Sequence, residues 1–232
     1  RKLIRVKLKK IIFKKIIFLG FPSALQMFFE VTFFTSAIWM SGMLGKNPQA
    51  ANQIALNLTS MTYMVALGLG VTAMIRVGNE KGRQDFISLR KVAISTFFLV
   101  FLMSSLFCLF FVFTHGFLPW LYLDGNAPEI SSDVFTVVEI ASDLILIAAF
   151  FQIADGLQAV VLGALRGIQD VIIPAFLIFI SYGAIGFPIS YYLGLKTEWA
   201  ASGIWMGLLT GLTLSALLLL LRFQYLSQKL DS

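Results

Sequence analysis

The chain has 232 residues, of which 58% are hydrophobic and 13% charged, with a mean hydropathy of +0.86. That balance excludes an ordinary soluble fold and makes lipid the expected solvent. The net charge of +6 does not signal nucleic-acid binding, because the basic residues cluster in a way that follows membrane topology.

The first eighteen residues, RKLIRVKLKKIIFKKIIF, set Leu3, Ile4, Leu8, Ile11, Ile12 and Phe18 near helical spacing among lysines and arginines. Residues 1–18 therefore read as a basic amphipathic segment. One reading lays it on the inner leaflet, where membrane lipid that is anionic attracts each lysine by about 1 kcal/mol. The other makes it a linker to a further membrane lobe. The chain opens on Arg1 with no signal peptide in view, so a segment of a longer protein is expected.

Residues 19–232 form one membrane domain. A bilayer core about 30 Å thick takes roughly 20 apolar residues per helix. Six such runs are expected at Phe21–Leu44, Pro48–Val77, Val92–Thr114, Val134–Ala164, Val171–Leu195 and Ser202–Leu221. They are continuously apolar and lack the ten-residue alternation of outer-membrane strands, so the fold class is an all-α integral membrane bundle of six transmembrane helices.

Eight lysines and arginines lie between Arg1 and Lys15 and five between Arg76 and Lys91, while Arg166, Arg222 and Lys229 follow later spans. The alternate loops hold only Lys46 and Lys196. By the positive-inside rule both termini are cytoplasmic. Asn47 and Pro48 resemble an N-cap and first helical residue, and Gly167 to Asp170 resembles a helix stop followed by a new N-cap. The longest external connection, His115 to Asp133, carries Pro119, Trp120, Tyr122, Asp124, Gly125, Asn126 and Pro128, a composition suited to the outer interface. His115, the only histidine, reads as interfacial, and Cys108, the only cysteine, as packing.

Two residues carry the chemistry. Glu30 lies near the middle of the first span and Asp155 within the fourth. An ionisable group inside a membrane helix costs roughly 2.5 to 3.5 kcal/mol, so function is its default explanation. An ion pair that staples two helices is the structural alternative. Every basic residue, however, sits in a loop or at a helix end, and Arg166 stands roughly 16 Å along the helix from Asp155. Without a fixed cation each carboxylate must be protonated, hold a small cation or sit in water. Na⁺ or H⁺ at Glu30 and Asp155 is therefore expected, with no other cofactor and no catalytic residue.

Spacing extends the site. Ser23, Gln26, Glu30, Ala37 and Ser41 share one stripe, and Gln152 and Gln158 flank Asp155 at three residues either side. In the second span Gln53, Asn57 and Ser60 share a face with Thr59 and Tyr63 beside them, lining a cavity or hydrogen-bonding between helices. Glu139 and Asp143, one turn apart, suit a solvated outer vestibule. Met61, Met64 and Met74 are soft side chains of the kind that accept varied ligands.

The stretches GFPSALQMFFEVTFF, MLGKNPQAANQIALNLTSMTYMVALGLGVTAMIRVGNEKG and FFQIADGLQAVVLGALRGIQDVIIPAF, with the later GFPISYYLG, together resemble the second half of a multidrug and toxic compound extrusion transporter. The resemblance implies one lobe of a twelve-helix transporter that exports cationic, often aromatic, drugs in exchange for Na⁺ or H⁺ across the plasma (inner) membrane. It makes Glu30 and Asp155 the coupling carboxylates and places Gln53, Asn57 and Tyr63 near the cation and drug pocket. Phe151 stands where some relatives have a tyrosine. The other lobe, from the same chain or a second half-size copy, is an implied partner. A lipid-linked oligosaccharide flippase is the alternative within the superfamily. An intramembrane enzyme fits poorly, since the spans lack GxGD, HExxH or a serine beside a histidine.

Overall fold

The computed structural model describes residues 10–123 and 132–231, all of them helical or in short turns, with no strand among them. Six stretches are long and apolar enough to cross a membrane, so the chain is a multi-pass membrane protein. Five are α1 (Lys10–Leu44), α2 (Lys46–Arg83), α3 (Phe86–Thr114), α4 (Ser132–Gly167) and α7 (Ala200–Asp231). The sixth, between α4 and α7, runs as α5 (Ile172–Phe179), a π-helical stretch at Ile180–Gly186, and α6 (Phe187–Leu195).

Apart from the fifth span, most helices extend well beyond the apolar runs that announce them. The hydrophobic run measures the membrane crossing, whereas the backbone ladder continues into charged turns until something stops it. The first helix begins by Lys10, so residues 10–18 are its opening turns. Residues 1–9 of the basic segment, and residues 124–131 of the external connection, lie outside the described residues.

Two expected caps differ. Helix α2 is preceded by Gly45 at φ 129°, and it starts at Lys46 instead of using Asn47 as cap. Only glycine adopts that backbone without strain. Asn47 instead donates to Asp133 at 3.1 Å, beside an exposed Lys46–Asp133 ion pair of 2.7 Å. At the α4–α5 turn the residue before the helix is Val171. Asp170 is taken by Arg222 of α7, at 2.8 and 3.4 Å. A cap that the sequence reading did not single out is Asp85, whose side chain accepts from Ser88 N at 2.9 Å. That bond holds the Asp85 carboxyl below its ordinary range.

Helix α4 is the centre of the bundle and packs on α2, α3 and α7. Between Phe151 and Leu165 nearly every side chain is buried. The crossing with α2 depends on small residues, because a Cβ added at Gly163 would fall 2.2 Å from the Gly70 carbonyl oxygen. In lipid there is no hydrophobic drive between helices, so close backbone approach supplies the packing. Polar clips tie the outer helices in. Trp205 Nε1 donates to Asn52 Oδ1 at 2.9 Å, and Ser190 Oγ donates to the Ile204 carbonyl at 3.1 Å. Phe33 stacks on Tyr182 with ring centroids 4.6 Å apart.

Candidate functional site

Helices α1, α2 and α4 bring the two carboxylates to one place. Glu30, half-buried on α1, accepts a hydrogen bond of 3.2 Å from the Tyr63 hydroxyl of α2. Asp155, on the central helix, is only 6% exposed. Both line a cavity of about 420 Å³ together with Gln53, Asn57 and Tyr63. Its apolar wall includes Met27, Phe34 and Phe151. Phe151 is fixed edge-on against Phe34 at 5.8 Å and tilted against Trp205 at 5.5 Å.

The stripe on α1 faces the protein as expected. Gln26, Ala37 and Ser41 are buried, and Ser23 is half-buried. On α2, Gln53, Asn57 and Ser60 are exposed. Gln53 donates to Asn57 Oδ1 at 3.4 Å and Ser60 to the Asn57 carbonyl at 2.9 Å. These bonds stay within one helix, so the reading that these groups join two helices does not hold for them.

Two glutamines stand behind the cavity instead of in it. Gln158 is 1% exposed and accepts a 2.5 Å bond from Tyr182, which ties α4 to the π-helical stretch. Gln26 donates to the Val171 carbonyl at 2.7 Å and accepts from Arg166 Nη2 at 2.9 Å and Nε at 3.2 Å. This corrects the expectation that no fixed cation comes near the carboxylates. Arg166 is far from Asp155 along α4, but its side chain crosses to α1 and lands one turn from Glu30, where its charge is felt.

Asp155 Oδ1 and both amide atoms of Gln152 are buried without a hydrogen-bond partner. Gln152, Asp155 and Tyr63 also line a small cavity of about 10 Å³ with Thr59, Thr62 and Ser104. That space suits one water. Asp155 thus stands in the wall between a wide cavity and a very small one. Thr62 and Ser104 were missed by sequence reasoning, since a lone hydroxyl in a span ordinarily bonds its own helix.

Other candidates lie elsewhere. Glu139 and Asp143 are exposed on the N-terminal part of α4, Met61 and Met64 are exposed outside the cavity, and His115 Nδ1 bonds the Val112 carbonyl at 2.9 Å. Cys108 is buried and free. Among the described residues no three His, Cys, Asp or Glu side chains are grouped to hold a metal. The polar groups that line the cavity are the Glu30 and Asp155 carboxylates, the Tyr63, Thr35, Thr59 and Ser60 hydroxyls and the amides of Gln53 and Asn57.

Six apolar spans make up the chain, and three of them, α1, α2 and α4, line the cavity. The MatE family model matches residues 22–192, and the chain belongs to that family. It is 36% identical over 211 residues to a probable multidrug resistance protein NorM of Agrobacterium fabrum, covering 91% of this chain and 44% of that protein. It is 34% identical over 223 residues to the multidrug resistance protein MdtK of Proteus mirabilis, covering 94% and 47%. The relatives are transporters, not enzymes. The chain spans less than half the length of these relatives. The fold matches the crystal structure of the eukaryotic MATE transporter AtDTX14 with a TM-score of 0.83 at 22% identity, over 97% of this chain and 51% of that one. An outward-facing multidrug resistance MATE transporter of the MOP superfamily matches at 0.84 and 17% identity, over 99% and 50%.

Proposed function

We propose that this lobe is the cation-coupling half of an antiporter that exports cationic, often aromatic, drugs in exchange for Na⁺ or H⁺. The observation that carries the reading is the convergence of Glu30 and Asp155 on one cavity, with an unpartnered buried oxygen on Asp155. A carboxylate in that setting is neutralised by a proton or a bound cation, and a drug cation competes for the same negative charge. Competition for shared carboxylates gives exchange without direct contact between the two ligands. Phe34, backed edge-on by Phe151, gives an aromatic cation a ring to lie against in the apolar wall.

Arg166 adds a step to this scheme. When Glu30 has released its cation, the guanidinium one turn away supplies the balancing charge, so the empty site does not hold a bare carboxylate in an apolar setting. A cavity whose reachable charges are carboxylates also disfavours a phosphate-bearing cargo, and so the flippase alternative.

A second lobe closes the cavity. Gln53, Asn57 and Ser60 are exposed at its open side, and a polar face of this kind belongs against protein or water and not against acyl chains. The relatives, about twice as long, have room for such a lobe in the same chain. The protein sits in the plasma (inner) membrane with the basic loops, and so both ends of the lobe, cytoplasmic.

The test is ethidium efflux from drug-sensitive cells expressing the protein from its entire gene, wild type against Glu30→Gln and Asp155→Asn, with membrane insertion checked. Efflux falls at least about tenfold in each variant, while insertion persists. If both variants export at the wild-type rate, the carboxylates are structural and the assignment fails.

A further inference from the structure

A second concavity lies on the opposite side of α1. It is an apolar groove of about 730 Å³ between α1 and α5, without a polar atom in its lining. On α1 it uses Phe18, Phe21, Leu25 and Phe29, and on α5 Ile172 and Phe179 among others. These positions recur at three or four residues, so the groove follows the seam between the two helices. At 3.6 residues per turn, its residues on α1 point about 165° away from Met27, Glu30, Val31, Phe34 and Ile38, which line the transport cavity. The lobe proposed to close that cavity therefore lies on the other side of α1, and the groove faces the bilayer.

The groove has a polar end. Ile17 and Phe18 continue into a shallow, open patch on α1 that also includes Lys14 and Lys15. Neither lysine takes part in the ion pairs of Lys46 with Asp133, Arg83 with Glu80 or Arg222 with Asp170. The charge of Lys15 is felt by Lys81, whose ammonium donates to the Ile168 carbonyl. Two ammonium groups, those of Lys14 and Lys15, thus stand at the cytoplasmic end of the groove. From Ile17 to Phe29 the seam rises roughly 18 Å, close to the depth of one leaflet, about 15 Å.

A basic mouth above an apolar slot one leaflet deep has the charge and length of a single lipid. We propose that the α1–α5 groove is a binding site for an anionic glycerophospholipid of the cytoplasmic leaflet, its acyl chain along Phe18 to Phe29 and its phosphate at Lys14 and Lys15. Basic pockets between transmembrane helices on the cytoplasmic side recognise lipid phosphates in this way.

The experiment is native mass spectrometry of the protein, expressed from its entire gene and released from nanodiscs that contain equal amounts of phosphatidylglycerol and phosphatidylcholine with identical chains. The wild type retains phosphatidylglycerol over phosphatidylcholine. Replacing both lysines (Lys14→Gln with Lys15→Gln) lowers that preference about thirtyfold but leaves some lipid bound. Ile172→Trp, placed at the exposed rim of the groove where it does not disturb the core, removes retention of both lipids. Equal retention of the two lipids by the wild type means unselective surface lipid and overturns the proposal. So does an unchanged preference in the double variant, or undiminished retention with Ile172→Trp.

Discussion

The two carboxylates of the cavity are held in opposite ways. Asp155 belongs to the most buried helix, and the backbone around it is clamped where Gly163 meets Gly70. Glu30 belongs to the outermost helix, much of whose surface is exposed. It is held by one hydrogen bond from Tyr63, with Arg166 fastened to Gln26 one turn away. One acid is held in the packed core with its Oδ1 unpartnered, while the other sits on an exposed helix and accepts a hydrogen bond. On the proposed reading, a single cavity thus pairs a carboxylate on a packed helix with one on an exposed helix.

The largest effect is expected from breaking the clamp. Gly163→Leu cannot be accommodated without parting α2 from α4, at a cost of about 3 kcal/mol or more. In detergent the variant should lose its monodisperse elution peak and melt well below the wild type. A wild-type melting curve would mean that the glycine contact does not fix Asp155.

Next in size is the cation beside Glu30. Removing the guanidinium with Arg166→Gln leaves the vacated Glu30 without a neighbouring positive charge, so it holds its cation more firmly. The coupling-cation concentration for half-maximal ethidium efflux should fall about tenfold, and maximal efflux should drop because release is slower. An unchanged cation dependence would confine Arg166 to fastening Gln26.

The smallest effect is expected at Tyr63. Tyr63→Phe removes one hydrogen bond to Glu30 and nothing from Asp155, worth about threefold in efflux. A loss as large as that of Asp155→Asn would show that the phenol touches cation or drug directly.

The six spans and both acids were legible because the bilayer punishes error heavily. Apolar runs of helical length and isolated carboxylates stand out against that cost. Partnerships between helices were not. Gln26 and Gln158 read as cavity residues from their spacing, yet their neighbours are Arg166 and Tyr182, 140 and 24 residues away. The separation of Arg166 from the carboxylates was measured along α4, whereas the side chain reaches sideways to α1. Asp170 looked like a cap because its partner, Arg222, is 52 residues further on. The irregular turn in the fifth span had a local signal in Gly183, Gly186 and Pro188, since glycine and proline mark places where a helix departs from its regular ladder.

The hairpin at Gly45 has a mechanical consequence. A single residue joins α1 to α2, and the two helices run back from it toward the Glu30–Tyr63 contact like the arms of tweezers. Glu30 lies about 22 Å from that joint and Tyr63 about 27 Å. A splay of about 10° at the joint separates the tips by roughly 4 Å, more than a hydrogen bond survives. The grip on Glu30 can therefore be released at the cavity by a small rotation at the distant Gly45 hairpin, with neither helix having to bend.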